Sequence, residues 1–451
     1  MTIVDVRSGA LVPGRDIVLE GGRIAAIVAS TSGTSGTFVV PGFHDMHAHP
    51  LELPDPSGAL RLMLAHGITG VRQMSGSDRM LRQRARGTLP LPDESPEIVA
   101  MPGSVLTPLN AGSPKAAVAA VAAQQDAGAD FIKVGLVPAE ALYAAQAEAA
   151  RRGIPILGHL PLDVDVRRAS RNGMRSIEHL GPGLGILGAC STDEQSIRAA
   201  LAAKRMPRLP SLRLPFMDQI VAALVRRMAV NPTKLSKAAD LALTQRAIDT
   251  FATDKAAALA SQFAADGTWQ CPTLIRKRTT QLCDDPAYRN DPELRYVAPP
   301  LVERWNAEAD AFAARPEQER ATFRAEYALQ LRVTRMFDRA GVRMLAGSDA
   351  CGAVWQIAGH SLHQEFDELA LAGLSPLRIL QMTTIDAAEF LGRSSTAGTV
   401  EAGKNADLVL LDADPLADAE HLHRISGVVR AGRLHSPADL RDRVAADQNV
   451  G

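Results

Sequence analysis

The sequence predicts an α/β protein, a (β/α)8 barrel of the TIM type, with a small β domain formed by the two ends of the chain. Between about residues 60 and 180, alanine-rich segments of helical period alternate with short apolar runs, which indicates parallel βαβ units. The residues before 41 and after 395 consist instead of short strand-like runs separated by glycine turns. A chain of 451 residues is long enough for a barrel of about 250 residues and a smaller unit.

The barrel strands are expected at the apolar runs, because those runs interrupt the helical pattern. The predicted strands are 70–74, 98–101, 131–134, 154–158, 175–178, 268–274 and 342–348.

Residues 41–395 form the predicted barrel, while residues 1–40 and 396–451 join in the β domain. The middle of the barrel is longer than further βα units of about 30 residues require. We therefore expect helical insertions at about 190–265 and 280–335. They are candidates for a lid or for the contact of a homo-oligomer.

Composition argues against several classes of partner. The formal charge is −1 and no Lys/Arg-rich tract is present, so neither nucleic acid nor a membrane is the expected partner. A small-molecule substrate is more consistent with this composition than a nucleic acid or a membrane. The four cysteines lack C-x-x-C spacing, which argues against a disulfide framework or a cysteine zinc site. Residues 1–7 have no basic and apolar leader, so we expect a cytoplasmic protein.

Two histidines, His47 and His49, follow an apolar run in the segment Asp45-Met46-His47-Ala48-His49. Side chains alternate along a strand with period two, so both imidazoles point to the same side. Two neutral imidazole nitrogens that converge at a strand end provide half of a zinc site. Taken alone, the pair is equally consistent with structural histidines, and the rest of the chain decides.

Lys133 lies within the apolar run 131–134, where burial should lower its pKa and favour the neutral amine. A neutral amine reacts with carbon dioxide to give a carbamate, whose two anionic oxygens can bridge two divalent ions. The ordinary alternative is a lysine that extends from the strand end to solvent. We predict a carbamate on Lys133.

Three further residues, His159, His179 and Asp349, each follow a predicted strand directly. The C-terminal ends of parallel strands are where a barrel builds its active site. Any one of these residues could be a core or capping residue. Their occurrence at successive strand ends, together with the histidine pair and Lys133, favours one shared site.

The order of these motifs resembles the amidohydrolase superfamily, in particular its prolidase-like and imidazolonepropionase-related branch with a carbamylated lysine. The segment 383–408 resembles the last barrel helix of that superfamily and its return into a β-sandwich. The resemblance covers nearly the whole chain outside the helical insertions. Its motifs are Pro41-Gly42, His47 with His49, Gly-Ala-Asp-x-Ile-Lys-Val at Lys133, Gly-His at His159, Glu-His-Leu at His179 and Gly-Ser-Asp at Asp349.

The resemblance implies a binuclear centre with two divalent metal ions, for which zinc is the default. His47 and His49 would hold the more buried ion. His159 and His179 would hold the more exposed ion, and Lys133 would bridge the two.

The resemblance also implies that Asp349 binds the buried ion and acts as catalytic base and acid, while a hydroxide bridging the ions attacks the substrate. One departure puts the substrate preference of those relatives in doubt. Gly135-Leu136-Val137-Pro138 follows the lysine strand, where prolidase-like relatives tend to have a Ser/Gly-rich loop.

We expect hydrolysis of an amide C–N bond in a small substrate, an N-acyl amino acid or a dipeptide. Arg72 and Arg276 each follow a predicted strand and could hold a substrate carboxylate as bidentate donors. His363 could also contact the substrate. Structural ion pairs and a surface histidine are the ordinary alternatives for these three residues.

Three other functions stay open at this stage. Lactone or phosphotriester hydrolysis would use the same site, and only the pocket walls decide between them. A deaminase of the same superfamily would carry H-x-x-E, but Leu160-Pro161-Leu162 follows His159 here. A non-catalytic barrel scaffold would have lost metal ligands, whereas this sequence retains a full set.

Overall fold

The structure is a computed structural model that describes residues 1–33, 35–53, 55–204, 230–350 and 352–448. The strands in these residues are β1 Thr2–Asp5, β2 Ala10–Val12, β3 Arg15–Glu20, β4 Arg23–Ala29, β5 Phe38–Pro41, β6 Phe43–Ala48, β7 Ile68–Gln73, β8 Glu97–Ala100, β9 Ile132–Val134, β10 Ile156–Gly158, β11 Met174–Glu178, β12 Trp269–Cys271, β13 Leu408–Leu411, β14 Ile425–Arg430 and β15 Arg433–His435.

The α-helices in the same residues are α1 Pro56–Ala65, α2 Asp78–Ala85, α3 Pro108–Ala111, α4 Pro114–Asp126, α5 Ala139–Arg152, α6 Val166–Arg171, α7 Gly185–Ala189, α8 Glu194–Ala203, α9 Ala238–Asp249, α10 Thr253–Asp266, α11 Leu274–Gln281, α12 Pro286–Arg289, α13 Pro299–Ala313, α14 Glu317–Arg339, α15 His360–Leu371, α16 Pro376–Thr383, α17 Ile385–Phe390 and α18 Pro437–Gln448. Short 3₁₀ helices lie at Pro50–Glu52, Pro232–Leu235, Pro292–Tyr296 and Ala419–His423.

Two parallel sheets form the α/β part of the molecule. One contains β6, β7 and β8, and the other contains β9, β10, β11 and β12, with every neighbouring pair parallel. At least one helix separates each strand from the next within these sheets, as a parallel connection requires. The alternation in the sequence therefore predicts a mixed α/β fold correctly.

Single parallel bridges connect these sheets at their edges. Leu106, which follows β8, pairs with Val134 of β9. The segment 342–350 pairs with β12 through Met344 and with β6 through Ala350. This segment therefore lies between the two sheets at the edges that β12 and β6 provide.

The sequence predicts a regular strand at 342–348, and this prediction is wrong in detail. The segment makes backbone hydrogen bonds to both neighbours, since Leu345 N donates to Gln270 O and Asp349 N donates to His47 O. Only isolated bridges result. Asp349 has a φ of 57°, in the left-handed region, so extended pairing cannot continue through it.

His47 lies in a strand of its own, β6, and His49 follows the end of that strand. The sequence predicts one apolar run that leads into the histidines, whereas the structure has β5 in one sheet and β6 in another. Gly42 lies between them. A Cβ at this position would lie 2.1 Å from Thr69 Oγ1, so the close approach to β7 requires glycine.

Both ends of the chain contribute strands to one mixed sheet. Its order is β15-β14-β13-β5-β1-β2, and β3 and β4 form a separate antiparallel hairpin. Strand β13 pairs antiparallel with β5, which brings C-terminal residues against N-terminal ones. Ile3, Ile24, Val39, Leu408 and Val429 are buried together, so the terminal segments and the hairpin share an apolar core.

Helices occupy the long middle of the chain, where the sequence predicts insertions. The described part of 190–265 contains α8, α9 and α10, and residues 205–229 of that insertion lie outside the described residues. The second insertion, at 280–335, contains α12, α13 and most of α14. No helix in the described part of the chain is long and apolar enough to cross a membrane.

Candidate metal centre

The two histidines of the sequence pair face one carboxylate. His47 Nε2 lies 3.1 Å and His49 Nε2 lies 3.2 Å from Oδ1 of Asp349. Their ring centroids are 5.5 Å apart. Side chains two residues apart at the end of β6 thus point the same way, and Asp349 contacts both of them.

Asp45 fixes the backbone around this contact. Its Oδ1 accepts hydrogen bonds from Ser348 N and His47 N, each at 3.1 Å. Its Oδ2 accepts a hydrogen bond from Ser348 Oγ at 2.6 Å. Asp45 and Ser348 are fully buried, so one carboxylate holds the chain on both sides of the contact between His47 and Asp349.

His159 and His179 complete the group of imidazoles. The ring centroid of His179 lies 4.6 Å from that of His47 and 5.1 Å from that of His159. Thr273 Oγ1 lies 2.6 Å from Nδ1 of His179 and donates its own proton to Pro272 O. The hydroxyl therefore accepts the Nδ1 proton, and Nε2 of His179 is left as the unprotonated nitrogen.

Lys133 is buried within β9. It is 3% exposed, and its Nζ has no hydrogen-bond partner among the described residues. Burial lowers the pKa of Lys133 to about 8, against the opposing effect of the charges on Glu178 and Asp349. A larger fraction of this amine is therefore neutral at pH 7 than of an exposed lysine, and the neutral form is the one that reacts with carbon dioxide.

The imidazoles of His47, His159 and His179 are held in their neutral form. Burial is the main reason that the pKa values of all three are lowered, and the positive charge of Lys133 lowers them further. Neutral imidazole is the form that binds a metal ion.

His49 differs from the other three histidines. Its Nδ1 lies 2.7 Å from Ser75 Oγ and 3.4 Å from Glu52 Oε2. Burial lowers its pKa, but hydrogen bonds to Asp349 and Glu52 outweigh burial and raise the pKa to about 9. A metal ion at Nε2 of His49 would therefore have to displace a proton.

Glu178 contacts His47 from the opposite side, and the sequence pattern does not predict it as a site residue. Its Oε2 lies 2.6 Å from His47 Nδ1, and Arg72 NH2 lies 3.1 and 3.2 Å from its two oxygens. Burial would raise the pKa of Glu178, but Arg72 and His47 outweigh burial and keep it ionised. The available signal is a charged side chain inside an apolar run, which is also the signal that Lys133 gives.

The sequence predicts that Arg72 contacts the substrate, whereas the structure favours another role. The residue is fully buried, and its Nε donates to Met46 O. Its guanidinium carbon lies 6.0 Å from the ring centroid of Phe131 and 4.9 Å from that of Phe390. Arg72 is thus enclosed by protein groups and paired with Glu178.

Arg276 and His363 are the other two predicted substrate residues, and their surroundings differ. Arg276 Nε lies 3.1 Å from Asp349 Oδ2, beside the candidate centre. His363 is buried in α15, where its Nε2 donates to His66 O at 2.8 Å and its ring packs against Phe43. These contacts of His363 are with the residue after α1 and with the first residue of β6, and not with the candidate ligands.

Two overlapping groups of described side chains have ligand atoms within 4.8 Å of one another. They are His47 with Glu178 and Cys271, and His47 with His179 and Asp349. In the group that includes Glu178, that carboxylate already pairs with Arg72. In the other, His47 Nε2 makes no hydrogen bond of acceptable geometry although Asp349 Oδ1 is 3.1 Å away. A divalent cation would complete such an arrangement.

Part of the chain matches a known protein family. Residues 330–435 match the model of the amidohydrolase family. Imidazolonepropionase from Shouchella clausii (strain KSM-K16) is 39% identical to this chain over 64 residues, which is 14% of this chain and 14% of that protein. The match thus spans a small part of the length of that relative.

Solved structures share the fold over almost the full chain. A bottromycin amidohydrolase has a TM-score of 0.71 at 24% sequence identity, covering 99% of this chain and 88% of that chain. A Xaa-Pro dipeptidase with methionine bound in its active site has a TM-score of 0.59 at 18% identity, covering 96% and 98% of the two chains. The match of residues 330–435 to the amidohydrolase family agrees with the resemblance in the sequence, and the two solved structures share the fold of this chain.

Proposed function

We propose that this protein is a metal-dependent hydrolase that cleaves the amide C–N bond of a small substrate, an N-acyl amino acid or a dipeptide. The observation that carries the proposal is that four histidines and Asp349 lie together where β6, β10 and β11 end, with Lys133 buried in β9, the neighbour of β10. The two structural relatives are named as an amidohydrolase and a dipeptidase, which supports amide chemistry.

The proposed scaffold is an eight-stranded (β/α)8 barrel over residues 41–395. The two parallel sheets provide seven strands, and segment 342–350 would be the eighth. The single bridges that join the sheet edges support this closure. The terminal strands would form a β-sandwich domain from residues 1–40 and 396–451.

The candidate residues fit two divalent ions. Lys133 Nζ and His47 Nε2 are both buried without hydrogen-bond partners in the described part of the chain. Such burial is unfavourable unless another group binds to these nitrogens. A carbamate on Lys133 and a metal ion at His47 would do so. Zinc is the expected metal for a nitrogen-rich set of ligands. One ion would be held by His47, His49 and Asp349, the other by His159 and His179, and both by the carbamate of Lys133.

When bound, the ions would lower the pKa of water into the neutral range and polarise the carbonyl of the scissile amide. Asp349 would accept the proton of the attacking water and deliver it to the nitrogen of the departing amine. Burial would raise the pKa of Asp349, but the neighbouring His179 and His47 hold it well below its usual range. Asp349 is therefore ionised and free of a proton before the reaction.

The proposed substrate class follows from Arg276. This arginine is at the start of α11, which follows β12, and it reaches Asp349 from that side. A guanidinium beside the reacting groups is suited to a substrate that carries a carboxylate near its scissile bond. N-acyl amino acids and dipeptides both meet this requirement.

Metal content per chain, measured by elemental analysis, tests the proposal. We expect about two ions per chain in the wild type and about one or none in Lys133→Ala, since the bridging group is lost. Lys115→Ala is the matched control, because Lys115 is exposed on α4. After equilibration with ¹³C-labelled carbon dioxide, the wild type but not Lys133→Ala should show a carbamate carbon by NMR.

An equal metal content in all three proteins would contradict the bridging role of Lys133. The same wild-type protein should then be assayed against a panel of N-acyl amino acids, dipeptides and lactones. Hydrolysis of lactones alone would contradict the proposed amide substrate while leaving the metal centre in place.

A further inference from the structure

The geometry points to a positioning role for Arg72 and Glu178: together they hold His47 in the orientation and tautomer in which its Nε2 can bind a metal ion. This inference rests on the proposed metal centre. It adds two residues that act through His47 and assigns Arg72 a role different from the substrate contact that the sequence predicts.

Glu178 determines which nitrogen of His47 carries the proton. Its Oε2 lies 2.6 Å from Nδ1, so Nδ1 donates to the carboxylate and Nε2 keeps its lone pair. That lone pair is on the side of Asp349, whose Oδ1 is 3.1 Å from Nε2. A carboxylate behind a metal-binding imidazole fixes the ring and makes its free nitrogen more basic.

Arg72 holds His47 in two ways. Its NH2 group donates to both oxygens of Glu178, at 3.1 and 3.2 Å. Its Nε donates to the backbone carbonyl of Met46, the residue before His47. Ser176 Oγ donates to Glu178 as well. One guanidinium thus fixes both the strand that carries His47 and the carboxylate that orients its ring.

A purely structural role does not explain this ion pair well. The side chains of Arg72 and Glu178 are both 0% exposed, and removing two charges from water commonly costs as much as their attraction returns. Apolar side chains could fill the space beside Phe131 and Phe390 equally well. The contact that an apolar pair could not supply is the one from Glu178 to Nδ1 of His47.

The test uses double variants, because removal of Arg72 alone would leave a buried carboxylate without its partner. Arg72→Met/Glu178→Leu removes both charges and the acceptor for Nδ1. Arg72→Met/Glu178→Gln removes the charges but keeps a neutral acceptor. Arg378→Met is the control, since it breaks an arginine pair with Asp338 in the helix layer.

Two measurements separate positioning from stability. Zinc affinity is measured by competition with a chromophoric chelator, and unfolding of the metal-free protein is followed by circular dichroism in urea. We expect the leucine variant to bind zinc about 10- to 100-fold more weakly, with a smaller loss in the glutamine variant. The metal-free leucine variant should be at least as stable as the wild type, because no unpaired charge remains. Arg378→Met should show the reverse, with lower stability and unchanged zinc affinity.

Wild-type zinc affinity in the leucine variant, with an unchanged visible spectrum after cobalt substitution, would overturn the positioning role while leaving the metal centre intact. If the leucine variant does not fold, Arg72→Met/Glu178→Met, which also lacks an acceptor for Nδ1, carries the same comparison, and wild-type affinity in it would count equally against the role. A wild-type protein that binds no zinc, cobalt or manganese would overturn both this inference and the proposed function.

Discussion

Arg276 contacts Asp349 on the carboxylate oxygen that the histidines do not share. Its Nε lies 3.1 Å from Oδ2, whereas His47 and His49 both lie near Oδ1. One side chain therefore connects the candidate metal ligands to the helix that follows β12. An arginine in this position can exchange its contact with Asp349 for one with a substrate carboxylate.

Replacement of Arg276 by glutamine should weaken the binding of substrates that carry a carboxylate. A hydrogen bond to a charged group contributes about 1.5–3 kcal/mol, which corresponds to a rise in KM of roughly 10- to 150-fold. Steady-state kinetics with an N-acyl amino acid and with its neutral carboxamide measure the effect. The carboxamide should be hydrolysed equally well by the variant and the wild type, and an equal rise in KM for both substrates would exclude carboxylate recognition by Arg276.

Replacement of Asp349 by asparagine should abolish most of the turnover. Proton transfer by a positioned side chain typically contributes about 100- to 10,000-fold to a rate. Asparagine tolerates the left-handed backbone that Asp349 adopts at φ 57°, so the substitution should not disturb the fold. The kcat of the variant, compared with that of Asp338→Asn on α14, checks this expectation. An Asp349→Asn protein with wild-type kcat would show that another group transfers the proton.

The sequence predicted the candidate ligands because each of them interrupts or ends an apolar run. Lys133 inside β9 and the imidazoles after β10 and β11 are polar groups in places where water is excluded, and such residues are usually functional. Glu178 carries the same signal. Because Glu178 directly precedes His179, the sequence pattern predicts a site residue at the histidine alone.

Pairwise contacts between distant residues could not be read from the sequence. Arg72 and Glu178 are 106 positions apart, and their pairing depends on how β7 and β11 are brought together in three dimensions. The irregular backbone of segment 342–350 could not be predicted either. Its apolar pattern indicates burial but not the left-handed backbone at Asp349. The separation of β5 from β6 likewise depends on the approach of Thr69 to Gly42.

Replacement of Thr273 by valine should weaken metal binding at His179. Valine has nearly the same shape but cannot accept the proton of His179 Nδ1, which Thr273 Oγ1 contacts at 2.6 Å. Loss of a group that orients a metal-binding imidazole typically costs about 10- to 100-fold in affinity. Zinc competition measurements on Thr273→Val and on Thr273→Ser, which keeps the hydroxyl, provide the comparison. Equal affinities in the two variants would mean that the hydroxyl does not orient His179.

Replacement of Gly347 by alanine should disturb the centre through packing alone. A Cβ at this position would lie 2.7 Å from Cβ of His47 and 2.8 Å from Sγ of Cys271, closer than carbon atoms tolerate. Because both neighbours are fully buried, the added methyl should cost about 1–3 kcal/mol of unfolding free energy. It should also displace His47 and so lower the zinc affinity. Urea unfolding of the metal-free protein and zinc competition measure the two effects, and Gly36→Ala is the control because nothing lies within 4 Å of a Cβ there. If Gly347→Ala were as stable as Gly36→Ala and bound zinc equally well, the close packing of segment 342–350 against His47 would be wrong.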